Sequence, residues 1–469
     1  MMWISSETHQ ERDAPRILQR SLRKQMKSVS EMGRRSGWKP VASMKKLVAA
    51  RGFSSLLTPI LGLAILPGVV ACDNDYTLGW VYTPAAKTTG GLVSTFGVDN
   101  QEGFLRTLAD SPVPTGGRTP VAIVAAPDQP KHPYLYVANH DDSNVVVLGI
   151  GTDGKLYPYS THNTTGSFPV AMAISPAGNF LYVAYTFQSC SGAVEQSGAT
   201  NPNCAGSFDG FSAASPGPGG ISIYPINSSS AGQPDSLGTP VDFPIGRSPI
   251  GIAVGANNVV YVVTQDPAAT SNVTGQTGNL FAFQANATTG ALTALPGETI
   301  TATAGDVPSF GYPSGVLPGG VILNSTGTQL YVSDFSGNTI YGYSIAANGV
   351  PTQIGSAPTD AGPEGMAIDP TNTYLFTADY TAGTIDEFTF GANGAPVPST
   401  TAQSTQAGTG VTCVTIEPLH GIYLYTSNSL SNNVTGEQIL AGGALKQIVF
   451  SPYTSSTLPE CVVAVQRVF

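Results

Sequence analysis

The feature that most constrains the fold is a short apolar–aromatic–β-branched motif that recurs along the chain. A weak copy lies at Gly79–Thr83, and six clear copies follow it: Leu135–Asn139, Leu181–Tyr185, Val260–Thr264, Leu330–Asp334, Leu375–Asp379 and Leu424–Asn428. Compact neighbouring copies are roughly 45 residues apart, and the longer intervals contain insertions. A period of this length indicates one supersecondary unit that is repeated along the chain.

Each copy of the motif lies inside a larger unit of four strand-like segments. A strand of small apolar residues that begins near a Pro or Gly precedes the motif, as in Phe168–Gly178 and Pro363–Pro370. A polar loop, a further alternating strand such as Gly337–Ile345, and a variable fourth segment follow it. Four strands in a unit of this length are typical of a propeller blade, which stacks on its neighbours because it cannot bury both faces alone.

These units resemble the YVTN-type repeats of the lactonase family of seven-bladed β-propellers, which includes 6-phosphogluconolactonase and fungal carboxy-muconate cyclase. The resemblance covers about residues 79–469. It implies an all-β fold of seven four-stranded antiparallel blades. It also implies, as an expectation, that the chain hydrolyses a lactone.

The two ends of the repeat region contain complementary parts of one blade. The copy near Trp80 has no first strand before it, and Pro459–Val465 is a first strand with no motif after it. We therefore predict that the last strand completes the first blade and removes the free edge of the sheet. The predicted blades are 79–116 with 459–469, 117–164, 165–245, 246–303, 304–359, 360–408 and 409–458.

Four of the five cysteines lie within the repeats, an even number that suits two disulfides in an oxidising compartment. Alignment of the repeats places Cys413 and Cys461 at the same position of adjacent first strands, and we predict a disulfide between them. Cys190 and Cys204 would close a short loop in the third blade. A metal site is the rival interpretation, but no Cys-x-x-Cys spacing occurs.

The residues before the repeats have the pattern of an export signal. Residues 44–51 form a short basic segment, and an apolar run from Phe53 to Ala71 follows and ends at Cys72 in a sequence that resembles a bacterial lipobox. We expect a lipoprotein signal peptide at 44–71, lipidation of Cys72 and a linker at 72–78; an ordinary signal-peptidase site is the alternative. Residues 1–43 are expected to be a disordered extension, or to precede a true start at Met44.

Charge is distributed unevenly along the chain. Residues 1–52 hold 12 of the 20 Lys and Arg residues, and the rest of the chain has 8 basic residues against 26 acidic ones. The excess of acidic residues after residue 52 argues against a nucleic-acid partner and against a contact between a polybasic segment and lipid. We expect a monomer on the periplasmic or cell-surface side of a bacterial envelope, in contact with the membrane only through its lipid anchor.

Candidate functional residues concentrate where loops between blades, and loops between second and third strands, emerge at one end of the channel. The expected ligand-binding residues at this end are Asn139, Asp141, Asp142, Asp266, Asp306, Asp334, Asp379 and Glu460. The candidate catalytic residues are His140, His162, Arg118, Arg247 and Glu364. A His or a carboxylate could activate water, and an Arg could hold an acidic substrate.

Three functions are compatible with these candidate residues. The main interpretation is a binding or scaffold module for a protein, glycan or small-molecule ligand, because residues 246–408 contain no His and only Arg247. The alternative is a lactonase-like hydrolase of a sugar-acid or related lactone. The third is a Ca²⁺ site built from clustered carboxylates such as Asp141 and Asp142. We expect no other cofactor and no other metal.

Overall fold

The computed structural model describes residues 77–86, 90–127, 131–187, 219–227, 236–245, 249–265, 278–299, 310–400 and 404–467. Backbone contacts divide the chain into Met1–Cys72 and Asp73–Phe469, and every described residue lies in the second unit. The predicted sites at Cys72, Cys190, Cys204, Arg247, Asp266 and Asp306 lie outside the described residues. Every regular element in the described ranges is a strand, and these ranges include no helix that could cross a membrane.

The described strands group into seven antiparallel sheets, which follow one another along the chain. The first three sheets contain β1 (Thr77–Ala85), β2 (Leu92–Asp99), β3 (Leu105–Thr107) and β4 (Val113–Pro114); β5 (Pro120–Ala125), β6 (Tyr134–Asn139), β7 (Asn144–Ile150) and β8 (Leu156–Asn163); and β9 (Ser167–Ile174), β10 (Phe180–Phe187), β11 (Gly220–Asn227), β12 (Ser236–Leu237) and β13 (Val241–Pro244). The fourth and fifth contain β14 (Pro249–Val254), β15 (Val259–Gln265), β16 (Gly278–Ala285), β17 (Leu292–Ala294), β18 (Glu298–Thr299) and β19 (Phe310–Pro313); and β20 (Pro318–Leu323), β21 (Gln329–Asp334), β22 (Thr339–Ile345) and β23 (Pro351–Pro358). The last two contain β24 (Pro363–Ile368), β25 (Leu375–Asp379), β26 (Thr384–Phe390), β27 (Pro396–Pro398) and β28 (Ser404–Gln406); and β29 (Val411–Ile416), β30 (Tyr423–Asn428), β31 (Asn433–Ile439), β32 (Leu445–Gln447) and β33 (Tyr453–Thr454). The final strand, β34 (Val463–Gln466), returns to the first sheet.

The predicted seven-bladed β-propeller is confirmed, and the motif forms the second strand of every blade. The predicted closure is also present, because β34 pairs antiparallel with β1, with Trp80 opposite Val465 and Tyr82 opposite Val463. One blade boundary differs from the prediction. Since β19 pairs with β16, the fourth blade extends to Pro313 rather than ending at residue 303. The strands β18 and β19 lie in the long interval between the motif copies at Val260 and Leu330, where the repeat spacing indicated an insertion.

The inner strands meet around the central channel. Contacts join neighbouring inner strands in the ring β5, β9, β14, β20, β24, β29 and β34. Small residues allow this close approach: a Cβ atom added at Gly365 would lie 2.8 Å from the Cα atom of Cys413, and one at Gly320 would lie 2.8 Å from the backbone oxygen of Glu364. The centre of the ring therefore requires Gly, Ala or Cys at this position of the inner strand.

A disulfide joins Cys413 and Cys461, the two cysteines that the alignment of the repeats paired, and their Cα atoms are 4.9 Å apart. Cys413 lies in β29, the inner strand of the seventh blade, and Cys461 lies just before β34. The covalent bond thus connects the seventh blade to the first at the seam where the chain closes its ring.

Buried tyrosines of the motif connect neighbouring blades by hydrogen bonds as well as by packing. Their hydroxyl groups donate to backbone oxygens of glycines in the turn between the third and fourth strands of the next blade. The four pairs are Tyr82 with Gly154 at 2.7 Å, Tyr261 with Gly349 at 2.8 Å, Tyr331 with Gly394 at 2.8 Å and Tyr425 with Gly103 at 2.6 Å. The aromatic position of the motif therefore satisfies a turn carbonyl that the next blade would otherwise bury without a partner.

Candidate functional site

Each inner strand begins with the same irregularity. The pairing register shifts by one residue near the start of the strand, as between Pro120 and Ala122 or between Val411 and Cys413, which leaves one bulged residue in each blade. A proline precedes the bulge in six of the blades, where its missing N–H group does not weaken the ladder. Bulges of this kind re-aim a side chain, and here they do so at one end of the channel, which we call the channel mouth.

The bulged positions around the channel mouth are Val121, Val170, Ile250, Gly319, Glu364, Thr412 and Glu460. One half of this ring, on the second to fifth blades, carries apolar or Gly residues. The other half, on the sixth, seventh and first blades, carries two carboxylates with a hydroxyl between them. Polar chemistry at the ring is thus confined to one side of the mouth.

Glu364 and Glu460 form a coupled pair across the seventh blade, and both are partly buried. Burial, and after it the nearby negative charge of Glu460, together raise the pKa of Glu364 to about 7. Burial also raises the pKa of Glu460. The hydroxyl of Thr412 lies on the intervening strand, 3.0 Å from the Ser427 hydroxyl and 3.4 Å from the backbone oxygen of Pro459. A carboxyl group that titrates near neutrality can both accept and return a proton at physiological pH.

Two aromatic residues lie near the start of the inner strand that carries Glu364. The rings of Phe335 and Tyr380 have centroids 6.3 Å apart and an interplanar angle of 49°. The amide of Tyr380 donates to the backbone oxygen of Gly362 at 2.8 Å, and a Cβ atom at Gly362 would lie 3.1 Å from the Phe335 ring. The aromatic pair therefore flanks the backbone two residues before Glu364, at the same end of the channel.

A second polar group lies at the start of the second blade and contains two of the predicted catalytic residues. Arg118 donates from Nε to Asp142 Oδ1 at 2.7 Å, forms a second contact through Nη2, and donates its backbone N–H to Oδ2 at 2.7 Å. His140 Nδ1 is 2.8 Å from Asp141 Oδ1, and the Thr119 hydroxyl donates to Asp141 Oδ2 at 2.6 Å. The Arg118 charge is thus engaged by a neighbouring carboxylate.

The pKa of Asp141 reports the same network. Burial alone would raise the pKa of this carboxyl group, but hydrogen bonds from Thr119 and His140 and the charges of His140 and Arg118 lower it below its usual value. Asp141 is therefore held ionised as an acceptor in the loop. The His140 ring also stacks on Phe168, with centroids 4.8 Å apart, which joins this group to the start of the third blade.

The structure does not bring all the predicted catalytic residues together. His162 lies on β8, an outer strand, where Nε2 contacts the Ser160 hydroxyl at 2.9 Å and the ring meets the edge of Tyr224. Burial lowers the pKa of His162. It lines a separate cavity of about 590 Å³ between the second and third blades, whereas Glu364 lies on the inner strand of the sixth blade. Arg118 and His140 lie together, and Glu364 and Glu460 form the other group.

Several predicted ligand-binding residues make contacts that organise the loops instead. Asp334 accepts backbone N–H bonds from Val316 and Leu317, each at 2.9 Å. Asn139 donates to Asn144 Oδ1 at 2.8 Å. Asp379 is fully buried, and burial followed by the charge of Asp386 raises its pKa to about 8.

No cluster of three or more His, Cys, Asp or Glu side chains in the described ranges is arranged to hold a metal ion. Sequence reasoning missed Thr412, Phe335 and Tyr380 as site residues. Thr412 was detectable, because the alignment of the repeats places it at the position of Glu364 and Glu460. Phe335 and Tyr380 each follow the motif directly, so their shared position was also visible in the sequence.

Comparisons with known proteins support the fold and one of the two main functions. The model of the family described as "Lactonase, 7-bladed beta-propeller" matches residues 89–194 and 313–420, which confirms the resemblance indicated by the repeats. No curated protein sequence matches the chain. The lactonase match supports the hydrolase alternative better than the scaffold interpretation.

Solved structures agree with this assignment of the fold. A proposed 6-phosphogluconolactonase of Bacteroides fragilis aligns with a TM-score of 0.61 and 16% identity, covering 84% of this chain and 99% of its own. A periplasmic gluconolactonase of Pseudomonas aeruginosa aligns with a TM-score of 0.60 and 13% identity, covering 83% of this chain and 100% of its own. At this level of identity the likeness shows the fold alone, so an activity has to be inferred from the residues at the channel mouth.

Proposed function

We propose that the chain hydrolyses a lactone at the channel mouth, with Glu364 as the general base. The observation that carries the proposal is the position of Glu364: it lies on an inner strand, partly buried, beside Glu460, with a pKa raised to about 7. The matching family description supports a lactone as the substrate class. At neutral pH a carboxyl group with this pKa is about half ionised, so the basic form is available.

The proposed hydrolysis requires one proton transfer to Glu364 and one proton transfer back from it. Ionised Glu364 takes a proton from a water molecule, whose oxygen forms a bond to the lactone carbonyl carbon while the carbonyl electron pair moves to oxygen. The Thr412 hydroxyl, on the strand between the carboxylates, can donate a hydrogen bond to this developing oxyanion by turning its proton away from the backbone oxygens of Ser427 and Pro459. Collapse of the intermediate breaks the ring C–O bond, and the departing oxygen takes the proton back from Glu364. The product is a hydroxy acid, whose carboxylate is repelled by Glu460.

The binding or scaffold module remains the alternative function, and it requires none of this chemistry. We place the hydrolase first because the matching family is described as a lactonase and because Glu364, unlike the other buried carboxyl groups, lies on an inner strand at the channel mouth. As part of the same proposal, the propeller acts outside the cytoplasm as a monomer with lipidated Cys72 as its anchor. The support for this part is the basic segment, apolar run and lipobox-like sequence at residues 44–72.

Hydrolysis of a lactone panel by the purified propeller tests the proposal. We expect Glu364→Gln to lower kcat/KM by about 100-fold or more, the range found for loss of a general base. Glu102→Gln, at an exposed glutamate, is the matched control and should leave the rate unchanged. If wild-type protein hydrolyses no lactone, or if Glu364→Gln retains full activity on those it does hydrolyse, the proposed function is wrong.

A further inference from the structure

We infer that the channel mouth accepts an uncharged, polyhydroxylated ring lactone and discriminates against its phosphorylated counterpart, with Phe335 and Tyr380 as the surface on which the ring stacks. The inference rests on the proposed function, because it names the class of lactone that the Glu364 site hydrolyses. Three features of the mouth carry it: the aromatic pair, the two carboxylates and the engaged state of Arg118.

The aromatic pair is held in place by equivalent backbone contacts in neighbouring blades. The amide of Phe335 donates to the backbone oxygen of Leu317 at 2.9 Å, as the amide of Tyr380 does to that of Gly362 at 2.8 Å. Because each bond ties the residue after the motif to the start of its own inner strand, the two rings lie at the same level of the mouth. Both side chains are partly exposed, and Tyr380 lies on the blade that carries Glu364. An apolar aromatic surface beside a few polar groups is the usual composition of a small-molecule site.

The two carboxylates can accept hydrogen bonds from hydroxyl groups of a ligand, and they repel a phosphate group. An ionised carboxylate only accepts hydrogen bonds, so Glu364 and Glu460 can each bind a hydroxyl group of the ligand. When Glu364 is ionised, as its role as the base requires, a phosphate dianion in the same mouth meets its charge and that of Glu460, both partly removed from water, where electrostatic repulsion is stronger than in bulk solvent. The pair therefore favours an uncharged lactone with several hydroxyl groups.

No positively charged side chain lies at the described positions of the ring to compensate a phosphate for this repulsion. Val121, Val170 and Ile250 line the opposite half of the mouth and carry no hydrogen-bond donor. Arg118 already contacts Asp142 through both Nε and Nη2. After residue 52 the sequence has 8 basic residues against 26 acidic ones, so the wider field of the molecule also disfavours an anion.

The first experiment compares kcat/KM for glucono-δ-lactone and 6-phosphoglucono-δ-lactone on the wild-type protein. We expect the uncharged lactone to be preferred by roughly tenfold or more, which corresponds to a repulsion of about 1.4 kcal/mol against the phosphate. Glu460→Gln removes one of the like charges and should narrow this preference. Equal or better hydrolysis of the phosphorylated lactone would overturn the inference. If Arg247→Ala then lost the preference for the phosphorylated lactone, Arg247 would be identified as the residue that binds the phosphate.

A second experiment tests the stacking surface. Tyr380→Ala should raise KM for glucono-δ-lactone several-fold with little change in kcat, whereas Tyr380→Phe, which keeps an aromatic ring, should retain the wild-type KM. Tyr157→Ala is the matched control, because Tyr157 is an exposed tyrosine on the outer strand β8. A rise of KM in Tyr380→Phe as large as in Tyr380→Ala would mean that the hydroxyl group of Tyr380 and not its ring is needed, and an unchanged KM in Tyr380→Ala would exclude stacking there.

Binding separates failure of this inference from failure of the proposed function. Calorimetric titration with gluconolactam, an uncharged analogue that resists hydrolysis, and with its 6-phosphate requires no catalysis. If no lactone is hydrolysed, the proposed function is wrong, but tighter binding of gluconolactam would still support recognition of an uncharged ring. Tighter binding of the phosphorylated lactam, or binding of neither compound, would overturn it.

Discussion

At the residue scale, the chemistry of the channel mouth depends on the electrostatic coupling between two carboxyl groups. Glu364 and Glu460 are far apart in sequence, yet the bulges place them on either side of the seventh blade, where burial and then the charge of Glu460 raise the pKa of Glu364. The sequence singled out each residue, and the alignment of the repeats put them at the same position. It could not predict their pKa values, because these depend on how far the surrounding blades exclude water.

The coupling predicts the pH dependence of hydrolysis. Since Glu364 must be ionised to act as a base, kcat/KM should rise with pH through a midpoint of about 7. Glu460→Gln removes a neighbouring negative charge, which favours ionisation of Glu364 and should move the midpoint to lower pH. Steady-state rates across the pH range measure both profiles, with Glu102→Gln as the control. A midpoint that is unchanged in Glu460→Gln would contradict the coupling.

Glu437 is a buried carboxyl group whose ionisation affects the stability of the fold. It is fully buried on β31, neither of its carboxyl oxygens has a hydrogen-bond partner among the described residues, and burial raises its pKa to about 7. A folded-state pKa above the unfolded value means that the folded state binds more protons between the two values. The stability that Glu437 contributes is therefore complete below the unfolded pKa of about 4.3 and is lost as the pH rises through about 7.

Glu437→Gln replaces this titrating group with a neutral one of the same shape. Between mildly acidic and neutral pH, the free energy of unfolding should fall by roughly 1–3 kcal/mol less in this variant than in the wild type. Urea denaturation at a series of pH values measures the difference, and Glu102→Gln again provides the exposed control. If both proteins lose the same stability over this range, Glu437 does not titrate as proposed.

At the element scale, each blade is defined by its motif strand and is connected to the next blade by the motif tyrosine. The sequence predicted the motif strands and their packing role, since the alternation of apolar and aromatic residues is local. It did not predict the partners of the tyrosine hydroxyl groups. Those partners are turn carbonyls in another repeat, such as Gly394 for Tyr331, and no local pattern identifies them.

The sixth blade shows how one exception to this pattern is accommodated. Its motif carries Phe376 where the others carry Tyr, so the hydroxyl group is missing. In the equivalent turn of the next blade, a Cβ atom at Gly443 would overlap the carboxyl oxygen Oε1 of Glu387. Glu387 is paired with Phe376 across the sheet and is almost fully buried, and burial raises its pKa to about 7 although the Ser399 hydroxyl opposes this shift. A carboxyl group thus contacts the turn where other blades place a phenol.

Tyr331→Phe tests the hydrogen bond between blades. We expect the variant to lose about 1 kcal/mol of stability, because it removes one buried hydrogen bond and leaves the Gly394 oxygen without its partner. Thermal or urea unfolding measures the loss, and Tyr157→Phe at the exposed tyrosine of β8 should change nothing. A Tyr331→Phe protein as stable as the wild type would show that this hydroxyl contributes only packing.

At the scale of the whole molecule, stability depends on closing the ring. The pairing of β34 with β1 removes the free edges that an open array of blades would present, and the disulfide between Cys413 and Cys461 holds the same seam. Both features follow from the alignment of the C-terminal segment with the first strands of the other blades. The sequence therefore indicated which two strands and which two cysteines meet.

The double variant Cys413→Ser and Cys461→Ser tests the covalent part of the closure. The bond joins residues with a sequence separation of 48, and removing it should lower the free energy of unfolding by about 2–4 kcal/mol. Denaturation with and without a reductant measures this effect, which reduction of the wild-type protein should reproduce. Mass spectrometry of a non-reduced digest checks the pairing itself, and free thiols at both positions would contradict it.

The amino-acid sequence by itself determined the repeat, the class of fold, the order of strands within each blade and the seam at which the ring closes. These properties follow from local periodicity and from the fact that identical units must pack in the same way. Only the tertiary structure decided that Arg118 is engaged by Asp142, that His162 lies at an outer edge, and that Glu364, Glu460 and an aromatic pair share one side of the mouth. The reason is physical: contacts between blades set burial and charge–charge distances, and these depend on residues that the repeat does not relate.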